Sequence, residues 1–271
     1  MLRKLYIEPT TKCNLNCKMC FRHTWFDEPI CDLSLEDFRK ALDTMPRTVE
    51  TIFFGGMGEP LFHRDILQMV RLAAETGAEV ELLTNSTLLS EAMIRGLIEA
   101  GLCKLWVSID DLQTDSSIDG SGHDHAGQVL SNIRRFNRIR QKHGDLMFNG
   151  QSVLRRTGYC KFVREGMTFL RSDGKVCPCM ALLHNGYTWM NDVRRKITHC
   201  AFGTIREQGL SEIWNSPEYR SFRRKFDDFD FASCLYCGHC ELFAENKEDC
   251  IGNTHPTCGG CLWAEGVLSC P

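Results

Sequence analysis

Three cysteines crowd the start of the chain as Cys13-Asn-Leu-Asn-Cys17-Lys-Met-Cys20. Three thiolates at this spacing suit an iron-sulfur cubane that keeps one iron free of protein ligands. A structural zinc ion wants four ligands, commonly in paired Cys-x2-Cys units, so three on their own fit it less well. An iron without a protein ligand is a place for a small molecule to bind and react.

A second set is larger. Eleven of the 16 cysteines lie between Cys160 and Cys270: Cys160, Cys177, Cys179, Cys200, Cys234, Cys237, Cys240, Cys250, Cys258, Cys261 and Cys270. Pairs such as Cys234-x2-Cys237 and Cys258-x2-Cys261 converge two thiolates across one turn, as both zinc ribbons and iron-sulfur sites do. Eleven thiols fill two four-thiolate sites with three over. Cys31 and Cys103 stand apart and read as ordinary buried thiols.

These loops need a frame, and the first half of the chain supplies one. Leu5-Tyr6-Ile7 is a short apolar run ahead of the first cysteines. Val49 to Phe54 reads as a strand ending at Gly55-Gly56, Val80 to Leu83 as one ending at Thr84-Asn85, and Leu105 to Ile109 as one ending at Asp110-Asp111. Helical patterns follow at 35–45, 65–76, 91–100 and 126–142. Ser34 and Ser90 stand as N-caps, and Asp37 takes the place of the usual capping-box Glu. Four βα units in this order predict an α/β fold with a parallel sheet and helices outside it. Beyond 145 the alternation stops. Val163 to Val176 reads as a hairpin turning at Asp173-Gly174, and Ser216-Pro217 opens a short helix. The tail from 233 has little to bury, which makes bound metal its expected support.

The composition fits a soluble chain of 271 residues with 43% hydrophobic and 25% charged residues. A net charge of -3 argues against a general nucleic-acid binder. No apolar run is long enough to span a membrane and no export signal opens the chain, so a cytoplasmic location is expected. In that compartment so many cysteines read as metal or redox ligands and not as disulfides.

With the Cys loop placed after the first strand, the chain resembles the radical SAM enzymes. The resemblance implies a [4Fe-4S] cluster on Cys13, Cys17 and Cys20. Its open iron would chelate S-adenosyl-L-methionine, which one electron would cleave to a 5′-deoxyadenosyl radical. Met19 would lie near the adenine, where aromatic residues are more usual. Gly55-Gly56-Met57-Gly58-Glu59-Pro60 resembles the family's Gly-Gly-Glu motif, whose acceptors would take hydrogen bonds from the methionyl ammonium. By the same resemblance Thr84, Asn85, Ser108 and Asp110 line the mouth of the site. Each of those four is equally readable as a turn residue or helix cap.

The C-terminal half is similar to the SPASM extension, which implies two auxiliary [4Fe-4S] clusters. Cys160 matches its opening cysteine, Gly174 to Cys179 its Gly-x4-Cys element, and 203–223 its linking segment. The later cysteines are spread more widely than in that pattern. The favoured ligands are Cys160, Cys179, Cys234, Cys237, Cys240, Cys250, Cys258, Cys261 and Cys270, of which eight are needed. Cys177 and Cys200 are set aside.

A narrower resemblance rests on Cys179-Met-Ala-Leu-Leu-His184, Asn246-Lys-Glu-Asp-Cys250 and Pro256-Thr-Cys-Gly-Gly-Cys-Leu-Trp-Ala264. These segments look like the radical SAM maturases associated with tungsten-containing aldehyde oxidoreductases. The expected organisation is a shortened, partial (β/α) radical SAM barrel over 1–145, with about four βα units, and a SPASM-like region over 146–271. The expected partners are a protein or peptide substrate, such as a tungsten-containing oxidoreductase, and a reductant such as ferredoxin or flavodoxin. Peptide crosslinking or oxidation, and a non-catalytic iron-sulfur electron carrier or scaffold, are the competing readings. No residue is assigned as catalytic. His184, Tyr187 and Asp173 are candidates for a proton donor by location alone. A sheet stopping at its fourth strand leaves an edge to cover, and 145–176 is the expected cover.

Overall fold

The computed structural model describes residues 1–17, 20–108, 132, 135, 139, 159–190, 193–227, 229–232, 234 and 240–264. Its frame is a mostly parallel sheet. Strands β1 (Lys4–Ile7), β2 (Thr51–Phe54), β3 (Glu79–Thr84) and β4 (Lys104–Val107) lie side by side in chain order. Each neighbouring pair is parallel, so all four C-terminal ends open at one edge. Helices α1 (Leu35–Thr44), α2 (Ile66–Glu75) and α3 (Glu91–Glu99) return the chain between strands. Of the expected fourth helix, Asn132, Arg135 and Ile139 are described, and all three are helical.

The helix starts follow from their caps. The Ser34 and Ser90 hydroxyls accept from the Asp37 and Met93 N–H groups, satisfying donors that a first turn leaves free. Asp37 does not close a capping box. Its carboxylate accepts from Arg206 Nε at 2.9 Å and so ties α1 to the second half of the chain. Its side chain is too short to reach back to the cap while that longer-range cation is within reach.

The edge expected to be covered is not the one that β5 joins. Strand β5 (Met167–Leu170) runs parallel to β1, at the opposite side of the sheet from β4. The order is β4-β3-β2-β1-β5-β6, with β6 (Val176–Cys177) antiparallel to β5. Leu5, Tyr6 and Ile7 are at most 2% exposed, and an apolar strand buried that deeply needs a neighbour on each side. The turn at Asp173-Gly174 is as expected. The hairpin starts later, though, because Lys161–Arg164 forms one helical turn, α4. The boundary expected near 145 lies outside the described residues, and the one sheet takes strands from both sides of it.

The two faces of the sheet differ. Leu5, Ile52, Val80, Leu82 and Leu105 point toward the helices by strand alternation. The other face carries Tyr6, stacked at 4.4 Å on Phe169 and 4.6 Å from Phe53. Glu81 lies beside them, 3.2 Å from Lys4 and 2.7 Å from Lys104, and accepts from the Trp106 indole. The two lysines hold its carboxyl below the usual range against the effect of burial.

After β6 come a hairpin of β7 (Gly186–Met190) and β8 (Val193–Ile197), then α5 (Leu210–Asn215) and α6 (Pro217–Arg224). The hairpin was not expected, since three consecutive basic residues in Val193-Arg-Arg-Lys-Ile197 hide its alternation. Ser216 caps α6 as expected. Tyr219 anchors that helix by stacking on Phe202 at 4.2 Å and by a 2.9 Å hydrogen bond to Thr168 of β5. Among the described residues no helix is long and apolar enough to cross a membrane.

Candidate functional site

The loop after β1 holds Cys13, Cys17 and Cys20, all half-buried. It is wound around Arg22, whose guanidinium donates to Thr11 O and Leu15 O at 3.2 and 2.9 Å. A tight turn places the Cys20 N–H on Cys17 O. The Cys13 sulfur accepts from Leu15 N–H at 3.4 Å and faces the Asn85 amide at 3.8 Å. Burial pushes the Cys13 thiol up, with the Leu15 N–H and the Arg22 charge opposing. Met19 lies outside the described residues.

The glycines of Gly55–Pro60 exist for closeness. Gly56 has φ +129°, and a Cβ there would sit 2.6 Å from Glu8 Cγ. A Cβ on Gly58 would sit 2.1 Å from Thr10 O, inside the cysteine loop's own backbone. Glu59 then locks three segments together. Its N–H donates to Lys12 O, and its buried carboxylate accepts from Leu61 N, Thr84 Oγ1 and Asn85 N at 3.0, 2.7 and 2.8 Å. Burial pushes the Glu59 carboxyl up despite these three donors. The side chain expected to receive an ammonium is thus engaged in joining the ends of β2 and β3 to the cysteine loop. Thr84 is buried beside it. Asn85 reaches Asn14 Oδ1 at 3.2 Å, and Ser108 N–H donates to Thr84 O across the β3–β4 edge. Asp110 lies outside the described residues.

A buried charge chain joins this site to the second half of the chain. Glu8, directly after β1, accepts from Met57 N–H at 3.1 Å and lies 2.8 Å from His184 Nε2. The other ring nitrogen of His184 lies 2.9 Å from Glu28, which also takes Arg171 at 2.9 Å and Asn185 N–H at 2.7 Å. Arg171 continues to Asp173 at 2.8 Å and to Leu183 O at 2.6 Å. The side chains of Glu8, Glu28, Arg171 and His184 are each at most 2% exposed. Trp25 stacks on the His184 ring at 4.1 Å. Burial disfavours the imidazolium, yet Glu8 and Glu28 hold the His184 pKa above its ordinary value. Burial would raise Glu28, but His184, the Asn185 N–H and Arg171 hold it low. Of the three proton-donor candidates, His184 and Asp173 belong to this chain of charges, while Tyr187 packs on Phe26.

The C-terminal thiols fall into groups. Cys160, Cys179, Cys258 and Cys261 lie close enough for each ionised form to disfavour the others. Burial pushes Cys160 up to about 12 and raises Cys179 and Cys258 well above the ordinary thiol value. Cys234, Cys240 and Cys250 line one cavity of about 100 Å³. Cys237 and Cys270 lie outside the described residues. Cys177 is buried near Arg171 and Cys200. Cys103 is exposed and Cys31 half-buried, its sulfur 3.4 Å from the Ser172 hydroxyl, so neither is the fully buried thiol expected.

The charges around these thiols fit iron-sulfur clusters. Two arginines near these thiols have their terminal nitrogens bonded, Arg22 to Thr11 O and Leu15 O and Arg195 to Thr257, but each keeps a buried Nε without a partner. Arg195 is 3% exposed. Burial lowers its pKa, and its electrostatic neighbours are the thiols Cys234, Cys258 and Cys261, one from the cavity group and two from the four-thiol group. A buried cation facing neutral thiols is unfavourable, whereas thiolate-bound clusters bring compensating negative charge. Sequence patterns gave no sign of Arg22 or Arg195, since nothing local marks an arginine whose partner is a distant sulfur.

Two predictions follow from this geometry. Glu59→Gln turns an N–H toward donors and should cost about 1–3 kcal/mol, lowering the thermal midpoint without added S-adenosylmethionine. A loss seen only when that cofactor is present would make Glu59 a ligand and not a brace. For His184, the raised pKa means that its charged form adds stability fully below the ordinary value of 6.5 and loses it as pH rises through the folded value. Glu28, held low, contributes above its ordinary 4.5. The thermal-midpoint gap between wild type and His184→Gln should therefore be widest between the ordinary values of Glu28 and His184, 4.5 and 6.5, and shrink as pH rises above that window. A gap that widens with pH would contradict the assignment.

Comparison with known proteins agrees with these features. Residues 7–152 match the radical SAM superfamily, and residues 160–241 match SPASM, an iron-sulfur cluster-binding domain. The tungsten-containing aldehyde ferredoxin oxidoreductase cofactor-modifying protein of Pyrococcus furiosus is 26% identical over 348 residues, taking in all of this chain and 97% of that protein. Because 348 exceeds the 271 residues here, that protein carries residues this chain lacks. The S-adenosylmethionine-dependent nucleotide dehydratase of Selenomonas ruminantium is 31% identical over 134 residues, 48% of this chain and 47% of that one. In fold, BtrN in complex with AdoMet and 2-DOIA superposes with a TM-score of 0.59 at 17% identity, over 88% of this chain and 94% of BtrN. The chain thus belongs to the radical SAM superfamily of enzymes, its radical SAM core followed by a SPASM iron-sulfur region.

Proposed function

We propose that this chain is a radical SAM maturase that modifies a protein, peptide or cofactor precursor, acting in the maturation of a tungsten-containing oxidoreductase. The observation that carries the chemistry is the three-thiol loop locked by Glu59 to the Gly55–Pro60 turn. The likeness to a cofactor-modifying protein over the whole chain supports the substrate class.

In this reading Cys13, Cys17 and Cys20 hold a [4Fe-4S] cluster, and Met19, Gly55, Gly56, Gly58, Thr84, Asn85, Ser108 and Asp110 surround S-adenosylmethionine. The bound cluster supplies one electron for reductive cleavage to a 5′-deoxyadenosyl radical. The chain's own residues prepare the place. Arg22 balances the charge of the thiolates, and the Leu15 N–H and Asn85 amide stabilise the Cys13 sulfur in its ionised form. Trp25, Met57, His184, Tyr187 and Trp263 enclose a narrow cavity of about 40 Å³ that limits water beside the Gly55–Pro60 turn. A first auxiliary cluster falls to Cys160, Cys179, Cys258 and Cys261. A second falls to Cys234, Cys240 and Cys250, with Cys237 or Cys270 as its fourth ligand.

Anaerobic reconstitution should give about twelve iron and twelve sulfide per chain for three cubanes. Replacing Cys13, Cys17 and Cys20 together by Ala should remove about a third of the iron and all formation of 5′-deoxyadenosine. Co-production with a tungsten-containing aldehyde oxidoreductase should raise that enzyme's activity, and the triple variant should not. Colourless protein holding only zinc would overturn the chemistry, and an oxidoreductase indifferent to the chain would overturn the substrate.

A further inference from the structure

On the side of the molecule where β1 and β5 begin lies a basin of about 410 Å³ with an unusual charge. Five arginines line it, Arg3, Arg164, Arg220, Arg223 and Arg224, against a single carboxylate, Asp227. The chain as a whole carries -3, so composition does not explain the concentration of positive charge. Helix C-termini attract cations, which accounts for Arg223 and Arg224 at the end of α6. The same effect covers Arg164 at the end of α4, but not Arg3, just ahead of β1, or Arg220, one turn earlier on α6.

The basin is also electrostatically incomplete. Arg223 lies over the Trp214 ring at 3.7 Å and the Tyr219 ring at 4.5 Å, which fixes its plane. Its Nη1 is buried with no hydrogen-bond partner. Arg220 repels it, adding to the effect of burial. Asp227 is engaged by Arg164, which donates to its backbone oxygen at 2.6 Å and lies 3.9 Å from its carboxylate. Four of the five arginines are exposed to solvent. A cluster of like charges on an open surface costs energy that an anionic partner recovers.

Its position says which partner. Cys160 caps the single turn of α4, and Arg164 ends that turn, its N–H donating to Cys160 O at 3.0 Å. The basin therefore begins one helical turn, about 6 Å along the axis, from a member of the four-thiol group. We propose that this arginine basin is the docking surface for a small acidic electron-carrier protein that reduces the cluster held at Cys160, Cys179, Cys258 and Cys261. The step is a single-electron transfer: the carrier is oxidised by one electron, the cluster is reduced by one, and no bond or proton moves. The inference rests on the iron-sulfur reading above for its electron acceptor, but not for the binding itself.

The test is the affinity of the reconstituted full chain for a strongly acidic ferredoxin, measured by calorimetry. Binding should weaken by about tenfold or more between low and physiological salt, as interactions of exposed charges are screened. Arg220→Glu with Arg224→Glu should weaken low-salt binding by about tenfold or more and flatten the salt dependence. Iron content and reduction by dithionite should stay unchanged in that variant. Arg95→Glu, on exposed α3, should leave binding as in wild type. Stopped-flow reduction by the reduced ferredoxin should slow in parallel with affinity. Salt-independent binding, a double variant that binds as tightly as wild type, or a basin that takes inorganic phosphate while ferredoxin does not bind, would each overturn the proposal. Iron-free protein that keeps the salt-dependent binding supports the surface alone, so a failure of the iron-sulfur reading is seen separately.

Discussion

The architecture turns on a buried carboxylate, Glu8, that faces two ways. Toward the first half of the chain it accepts the Met57 N–H in the middle of the Gly55–Pro60 turn. Toward the second it meets His184, and through that ring Glu28 and Arg171. Taking four charges out of water is expensive, and their mutual attraction repays it only while every partner is in place. Removing one member leaves an uncompensated charge, typically a loss of about 3–5 kcal/mol. Such a network contributes less to net stability than to geometry. It sets where the segment carrying His184 and the cysteines beyond it sits relative to the turn beside the three-thiol loop. This polar link adds to an apolar core that runs continuously through both halves of the chain.

The same logic governs the thiols. Burial raises the pKa values of Cys160, Cys179 and Cys258, so without metal these groups stay protonated. Metal binding then displaces protons and couples assembly of the region to its folding. Arg22 and Arg195 place positive charge beside these thiols. Each keeps a buried guanidinium nitrogen without a partner in the neighbourhood of cysteine sulfurs.

Local pattern carried much of this. The spacing of Cys13, Cys17 and Cys20, the Gly-rich turn after β2, the caps at Ser34, Ser90 and Ser216 and the first four strands are all readable from short windows, because each depends on residues within a few positions of one another. What was unreadable is long-range. The pairing of β5 with β1 joins residues more than 160 positions apart, and only the depth at which Leu5 to Ile7 are buried explains it. Glu8, Glu28, Arg171 and His184 meet across similar separations. A faint signal existed, since Glu8 and Glu28 each precede a proline, where the chain leaves regular structure and a side chain can turn inward. The hairpin of β7 and β8 was hidden by its run of basic residues. The division of the later cysteines into groups follows from the fold and not from their spacing.

The account depends most on one iron of one cluster being open to S-adenosylmethionine. Electron paramagnetic resonance of the reduced, fully loaded protein tests this directly. Adding S-adenosylmethionine should change the signal of a single cluster. That change should vanish when Cys13, Cys17 and Cys20 are replaced and persist when Cys258 and Cys261 are. Signals that ignore the cofactor, or a change that survives loss of the first three cysteines, would contradict the account.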